Sequence, residues 1–496
     1  MPEPGLPLGL RLFETQQAKW TLASLLGLYA AVFLALYPQG ITVGDEGTYI
    51  RQAQAVATGT SGIERVDPFT GEVVEFRPLD EYPLGTALMM APFVAVGGVK
   101  GAYFFSLVCL LAAVALTARW LSEQHRSPLW AGLLIAYPPT IVLGRLAMSE
   151  SASLFLAILG LWLFWQGTSR SSRWFGAAGF VAGASFSVRE GNVLLFAPLF
   201  LGAVIRRDAG WPALVAGGLV GLGVRLLSSW MYFGDPFFVK TPAGFAFDAA
   251  LEQGALYLFF LLVLVPGGLI AAFAYRGPRR VEIIATIAIF VSFYFVYGYS
   301  GQTSGWAKRL ILGPRFFIPL LPLLALTAAD VWPRWGAMAV ERWSSRRAQL
   351  ERASGVLATT AVVVVAMAII GVQWAHATWS QEQATARKAI LSHTERGEVI
   401  ITNWKATGKF IDLAGDGRMI LRRKQMGQAA IAQLLAQNGS FYVVLLDRSD
   451  SDYWRRDAFE NATFLKFIKT LRYEPTNLAD VQISPTDRLR IWKVVP

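Results

Sequence analysis

Long stretches without a single charged residue recur along this chain, and they constrain its fold more than any other feature. Trp20–Val43 holds no charge over 24 residues, and further uncharged runs cover 82–99, 101–118, 127–144, 151–166, 174–188, 191–205, 209–224, 254–275, 283–307, 316–329 and 354–375. A spanning helix needs roughly 20 mostly apolar residues. Soluble domains carry about 25% charged residues; this chain carries 16%, with a mean hydropathy of +0.43. The pattern predicts a polytopic α-helical membrane protein. The shortest runs need flanking residues or a thinned bilayer to cross. The first run is too long for a removable signal peptide and has no small-residue cleavage site, so it reads as a retained anchor.

The formal charge of +11 fits basic loops facing anionic lipid better than it fits nucleic acid. One cysteine, Cys109, lies inside an apolar run and excludes an intrachain disulfide. His125, His376 and His393 show no zinc spacing and no pairing with a nucleophile.

The arginines set the topology. Tyr82–Val99 carries Pro83 and Pro92, and only Lys100 separates it from the next run. If it lies in the outer interface or dips in and returns, fourteen arginines between Arg119 and Arg352 face the cytoplasm; if it spans, all fourteen land outside. The positive-inside rule selects the first arrangement. The expectation is therefore about eleven spans, an N-terminus in the cytoplasm and an extracytoplasmic C-terminus. Residues 1–375 form the membrane domain, with a first outer loop over 40–100, and 376–496 form a small α/β domain. In that tail Glu398–Thr402 and Phe441–Leu446 read as buried strands, Ala429–Ala436 as a helix stopped at Asn438-Gly439, and Leu489–Val495 as a final strand. Asp67-Pro68-Phe69-Thr70-Gly71 reads as a hairpin turn within the first outer loop.

Under this topology the outer face gathers ionisable residues at span ends. Asp45 and Glu46 directly follow the first run, and Tyr49 continues an amphipathic stretch. Arg145 and Glu150 bracket the next outer turn, where Ser149 reads as a helix cap and Glu150 suits the positive helix end. Arg189-Glu190 closes an uncharged stretch, as paired ionisable residues between apolar segments often do. Lys308, Arg309 and Arg315 break the charge rule obeyed elsewhere, and a lipid phosphate explains the exception. Arg225 lies inside an apolar span and ranks lower. Asp447, Asp450 and Asp452 read as a solvated loop.

Asp45-Glu46-x-x-Tyr49 after a first span, followed by Tyr82-Pro83-Leu84-Gly85, resembles the GT-C superfamily of membrane glycosyltransferases, nearest the branch of protein O-mannosyltransferases and aminoarabinose lipid A transferases. Gly313-Pro314-Arg315-Phe316 with Pro319 and Pro322 is similar to a segment opening a late span in bacterial members. The resemblance covers roughly residues 20–330. It implies a GT-C fold with interfacial helices in the first outer loop, and Asp45 in the place of the catalytic aspartate. Glu46, Tyr49, Tyr82, Arg145, Glu150, Arg189, Glu190, Lys308, Arg309 and Arg315 become candidates for substrate binding. The implied partners are a polyprenyl-phosphate sugar, an acceptor glycan, lipid or protein, and membrane lipids. No cofactor is expected, and a divalent cation on Asp45, Glu46 and Glu150 is not favoured without histidine support. A flippase of lipid-linked sugars is the alternative; it should show paired halves and mid-membrane charges, and no repeat is visible.

Overall fold

A computed structural model of the chain describes residues 16–60, 63–67, 69–70, 72–76, 82–238, 245, 247–248, 250–265, 267–297, 313–343, 345, 347–403, 418–422, 426–448, 463–470 and 473–495. Among them six helices are long and apolar enough to cross a membrane: Gln16–Ala35, Gly85–Glu123, Ser149–Ser169, Trp211–Phe233, Pro314–Arg342 and Arg352–His393. The expected eleven spans are not reached by this measure, because several apolar runs are cut short. Run 127–144 becomes three pieces, Pro128–Gly132, Leu133–Ala136 and Pro138–Leu143, since Pro138 and Pro139 interrupt the helical ladder. Runs 174–188 and 191–205 become 13-residue helices either side of the Arg189-Glu190 turn.

Residues 82–99 do not merge smoothly into the following span. Gly98 has φ 56° and ψ −145°, a non-helical conformation inside Gly85–Glu123 that glycine adopts without Cβ strain. The piece before it, residues 85–97, rises roughly 20 Å at 1.5 Å per residue. That is well short of a hydrocarbon core of about 30 Å.

The chain divides into two compact units. One runs up to Leu36 and includes Tyr82–Phe93 and Gly101–Trp374; the other comprises Tyr37–Glu81, Val94–Lys100 and Ala375 onward. In the first, charges collect at opposite ends of the helix Ser149–Ser169, whose 21 residues rise about 30 Å. Glu150 starts it. Near its other end Gln166 donates to Glu123 at 2.6 Å, and Arg119 and Arg170 pair with that same carboxylate at 3.1 and 3.6 Å.

The second unit joins the segment after the first apolar helix to the tail. Helix Gly44–Thr58 ends at Gly59, φ +71°. Strands β1 (Ile63–Val66) and β2 (Val73–Phe76) pair antiparallel, Val66 opposite Val73. Asp67 closes the hairpin: its Oδ1 accepts from the backbone N–H of Phe69 and Thr70 at 2.8 and 3.0 Å.

In the tail β3 (Val399–Thr402), β4 (Met419–Arg422), β5 (Phe441–Arg448), β6 (Glu474–Gln482) and β7 (Asp487–Val495) form one sheet ordered β4-β3-β5-β7-β6. β3 is parallel to both neighbours, and β7 is antiparallel to β5 and β6. Helix Gln428–Asn438, stopped by Gly439 at φ +67°, supplies Ile431, Leu434 and Leu435 to a core shared with Phe441, Val443, Leu445, Trp492 and Val494. Phe69 of the hairpin packs against this core, and Gln433 donates to its carbonyl at 2.8 Å.

Candidate active site

In the first unit three segments that are distant in sequence bring one carboxylate and two guanidiniums together. Glu150 opens the helix Ser149–Ser169, where the helix dipole favours a negative charge. The N-cap position is held by Met148, with no side-chain cap bond, and this corrects the expectation that Ser149 caps the helix. Ser149 Oγ instead accepts from Arg189 at 3.4 Å. Arg189 donates to Glu150 Oε1 at 2.8 Å, and Arg315 Nε lies 3.9 Å from the same oxygen. All three side chains are largely buried, at 2%, 15% and 12% exposure. Glu150 Oε2 is buried and accepts no hydrogen bond among the described residues.

Each side chain is fixed by its own segment. Gly85 N–H donates to Ser187 O at 2.8 Å, and a Cβ at Gly85 would fall 2.3 Å from Ser187 Oγ. Only glycine allows Tyr82-Pro83-Leu84-Gly85 to abut the turn before Arg189. Arg315 rides on a 3₁₀ segment, Pro314–Leu320, whose Pro314 carbonyl accepts from Tyr137 Oη at 2.8 Å. Phe316 lies beneath both guanidiniums, 5.6 Å from Arg189 and 5.4 Å from Arg315, and is itself stacked on Tyr294 at 4.8 Å. An aromatic face so placed adds cation–π attraction and fixes the planes of the two forks. Two guanidiniums held side by side in a poorly solvated place suit an anionic ligand, phosphate above all, which arginine binds with directional hydrogen bonds.

Glu190 does not join this trio. It accepts from Arg225 at 3.3 Å, and Arg225 also donates to Ser229 Oγ at 2.8 Å and to the Phe238 carbonyl. Arg225 thus has a defined partner, which a solitary arginine in an apolar run signals without identifying.

Arg145 has partners of its own. It is 0% exposed, and its guanidinium donates to Gln373 Oε1 at 2.6 Å and to the Leu36 carbonyl, with Phe33 beneath it at 5.0 Å. A side chain so enclosed ties the first helix to a late one.

In the second unit Asp45 and Glu46 separate in role. Glu46 is 0% exposed; its Oε2 accepts from the backbone N–H of Thr42 and Val43 at 2.7 and 3.1 Å and from Thr42 Oγ1 at 2.9 Å. It satisfies donors at the start of helix Gly44–Thr58, as the acidic half of a capping box does. Asp45 is partly exposed and has no hydrogen bond or ion pair among the described residues. Tyr49, 4% exposed, is one helical turn on and shares its face. Tyr82 is partly buried at the start of its segment. Lys308 and Arg309 lie outside the described residues, as do Asp450 and Asp452. No group of three or more His, Cys, Asp or Glu able to hold a metal occurs among the described residues.

No family model matches the chain, and no curated protein matches it in sequence. Among solved structures it is similar to ArnT from Cupriavidus metallidurans bound to undecaprenyl phosphate, at 15% identity and a TM-score of 0.59, covering 96% of this chain and 97% of that one. The apo state of the same protein gives 14% identity and the same TM-score and coverage. Arabinofuranosyltransferase AftD from Mycobacteria is similar at 14% identity and a TM-score of 0.52, over 99% of this chain and 40% of that one. From its first spanning helix to its C-terminal sheet, the chain has the GT-C fold.

Proposed function

We propose that this protein is a GT-C-type glycosyltransferase. It moves a sugar from a polyprenyl-phosphate donor to an acceptor hydroxyl at the outer face of the cytoplasmic membrane. The observation that carries the reading is the buried cluster of Glu150, Arg189 and Arg315 at the end of a membrane-length helix. The near-full-length likeness to a structure solved with undecaprenyl phosphate supports it. The charges at the other end of that helix support a cytoplasmic N-terminus and an extracytoplasmic tail.

In this mechanism Asp45 accepts the proton of the acceptor hydroxyl as that oxygen attacks the anomeric carbon. The bond from that carbon to the phosphate oxygen breaks, and its electron pair leaves with the phosphate. Arg189 and Arg315 stabilise the charge that grows there, joined by Lys308 and Arg309. Glu150 holds the two forks in position. Direct attack with one base inverts the anomeric centre, and no cofactor enters.

A transfer assay in membranes, with a panel of polyprenyl-phosphate sugars, tests the proposal. Wild type should transfer from at least one donor, and Asp45→Asn should insert and fold normally yet lose about 10²–10⁴-fold in rate. Full transfer by Asp45→Asn removes it as the base. Donor translocation by wild type with no transfer to any acceptor hands the function to a flippase.

A further inference from the structure

Residues 37–43 lead into the helix that carries Asp45 and form neither helix nor strand. Backbone groups outside a ladder must find other partners. Here they find them on one face of the last long helix, within the second unit. Ser380 Oγ accepts from the backbone N–H of Gln39 and Gly40 at 2.7 and 2.9 Å and donates to Gly40 O at 3.0 Å. Gly40 permits the approach, since a Cβ there would fall 3.0 Å from the Ala384 nitrogen and 3.1 Å from Ser380 O. His376 Nε2 lies 3.2 Å from Thr42 Oγ1. His376, Ser380 and Ala384 follow one another at intervals of four, so they share a helix face.

The hydrogen bonds at Thr42 have a direction. A carboxylate only accepts, so the Thr42 hydroxyl donates to Glu46 Oε2 at 2.9 Å. Thr42 Oγ1 then accepts from His376, whose Nε2 carries the proton. The imidazole is 5% exposed and stands edge-on to Trp379, ring centroids 6.3 Å apart. The chain therefore runs from His376 to Thr42 to Glu46, and Glu46 Oε2 also takes the backbone N–H of Thr42 and Val43. Its last link secures the first turn of helix Gly44–Thr58, in which Asp45 lies. Asp45 has no hydrogen bond or ion pair of its own among the described residues. Its carboxylate is placed through the backbone, so what holds that turn holds the carboxylate.

We propose that His376 is a positioning residue for Asp45, acting through Thr42 and Glu46. The proposal rests on Asp45 being the base of the transfer reaction.

The test is steady-state transfer per folded molecule in membranes, with the polyprenyl-phosphate sugar that wild type uses best and the unfolding temperature measured alongside. His376→Leu keeps the bulk and removes the donor. Its kcat should fall about tenfold with the donor KM within about twofold, the pattern of lost orientation without lost binding. Thr42→Val removes the middle link and should give the same loss even if His376→Leu folds poorly. The double variant should be no worse than either single one, because a single chain is broken only once. His376→Gln, whose amide N–H can replace Nε2–H, should recover most of the rate, which a purely space-filling role would not do. Added to Asp45→Asn, His376→Leu should bring no further loss. The proposal alone is overturned if Asp45→Asn is inactive while Thr42→Val and His376→Leu keep the wild-type kcat, if the losses appear in KM, or if His376→Gln is no better than His376→Leu. Full transfer by Asp45→Asn, or none by wild type, removes the base assignment and this proposal with it.

Discussion

Among the described residues of the first unit, two buried carboxylates each meet two arginine side chains, and the clusters differ in completeness. Asp330 is 3% exposed. Its Oδ1 accepts from Arg126, and its Oδ2 accepts from Arg334 and, at 3.4 Å, from the Arg276 backbone N–H. Arg334 further donates to the carbonyls of Asp330 and Ala274. Every oxygen of that carboxylate has a donor, and the cluster binds three segments that share the basic end of the bundle. Glu150 is equally buried, yet its Oε2 has no donor among the described residues. A buried acceptor left unsatisfied costs about 1–3 kcal/mol. Its persistence beside two arginines fits a place completed by something from outside. The composition of the two clusters is nearly the same; what differs among the described residues is the hydrogen-bonding capacity left over.

That contrast can be broken experimentally. Asp330→Ala leaves Arg126 and Arg334 facing one another and should lower stability by about 3 kcal/mol, since removing one partner of a buried pair strands the others. Thermal unfolding in detergent should show this, while transfer per folded molecule stays within about twofold. Glu150→Gln should do the reverse. Stability changes little, but the forks of Arg189 and Arg315 lose their common anchor, and the rate should fall about 10²-fold, as small misplacements at a reacting centre do. If both variants damage rate equally, the distinction collapses. Arg315→Lys keeps the charge but loses the fork and the stacking on Phe316; the donor KM should rise about tenfold with kcat nearly unchanged. An unaltered KM would remove Arg315 from the donor site.

The smallest effect lies in the tail. Glu395 accepts from Lys493 Nζ at 3.0 Å and Tyr442 Oη at 3.1 Å. The hydrogen bond from Lys493, then that from Tyr442, holds this carboxyl below its ordinary value; the hydrogen bond to Glu395 holds Lys493 above its own. A lowered carboxyl stabilises above its unfolded value and loses that contribution as pH falls through the folded one. A raised lysine stabilises below its unfolded value and loses it as pH rises through the folded one. Between these limits the pair is indifferent to pH. The amide-exchange protection factors of β5 and β7 in the intact chain, corrected for the intrinsic pH dependence of exchange, should therefore fall on acidification less steeply in Glu395→Gln than in wild type. Glu395 is exposed and Lys493 partly so, which keeps the difference small.

Much of the fold was legible because it rests on local periodicity. Glu398–Thr402, Phe441–Leu446 and Leu489–Val495 were expected as strands and lie within or beside β3, β5 and β7; Ala429–Ala436 falls inside its helix. Strand β6 was not anticipated, since an exposed edge strand has no apolar alternation to betray it. Among site residues, Glu150, Arg189 and Arg315 were each singled out as charges at span ends, and the structure brings them together. Arg145 looked the same by that criterion, and only its enclosure by Leu36 and Gln373 reveals a tether. Asp330 was passed over, although a lone acid ending an apolar run signals a buried partner. The capping role of Glu46 was not legible in sequence, because adjacent helical residues face different ways and only the backbone shows which turns back to the cap.

The hairpin that inserts Phe69 beside the tail core has a consequence for biosynthesis. Its carbonyl partner, Gln433, lies 364 residues further along the chain. At roughly 5–20 residues per second, the ribosome needs tens of seconds to make that stretch. Throughout that interval the hairpin has no seat, and a nascent chain stopped short of its last strands would carry Asp45 on a loop still waiting to be anchored.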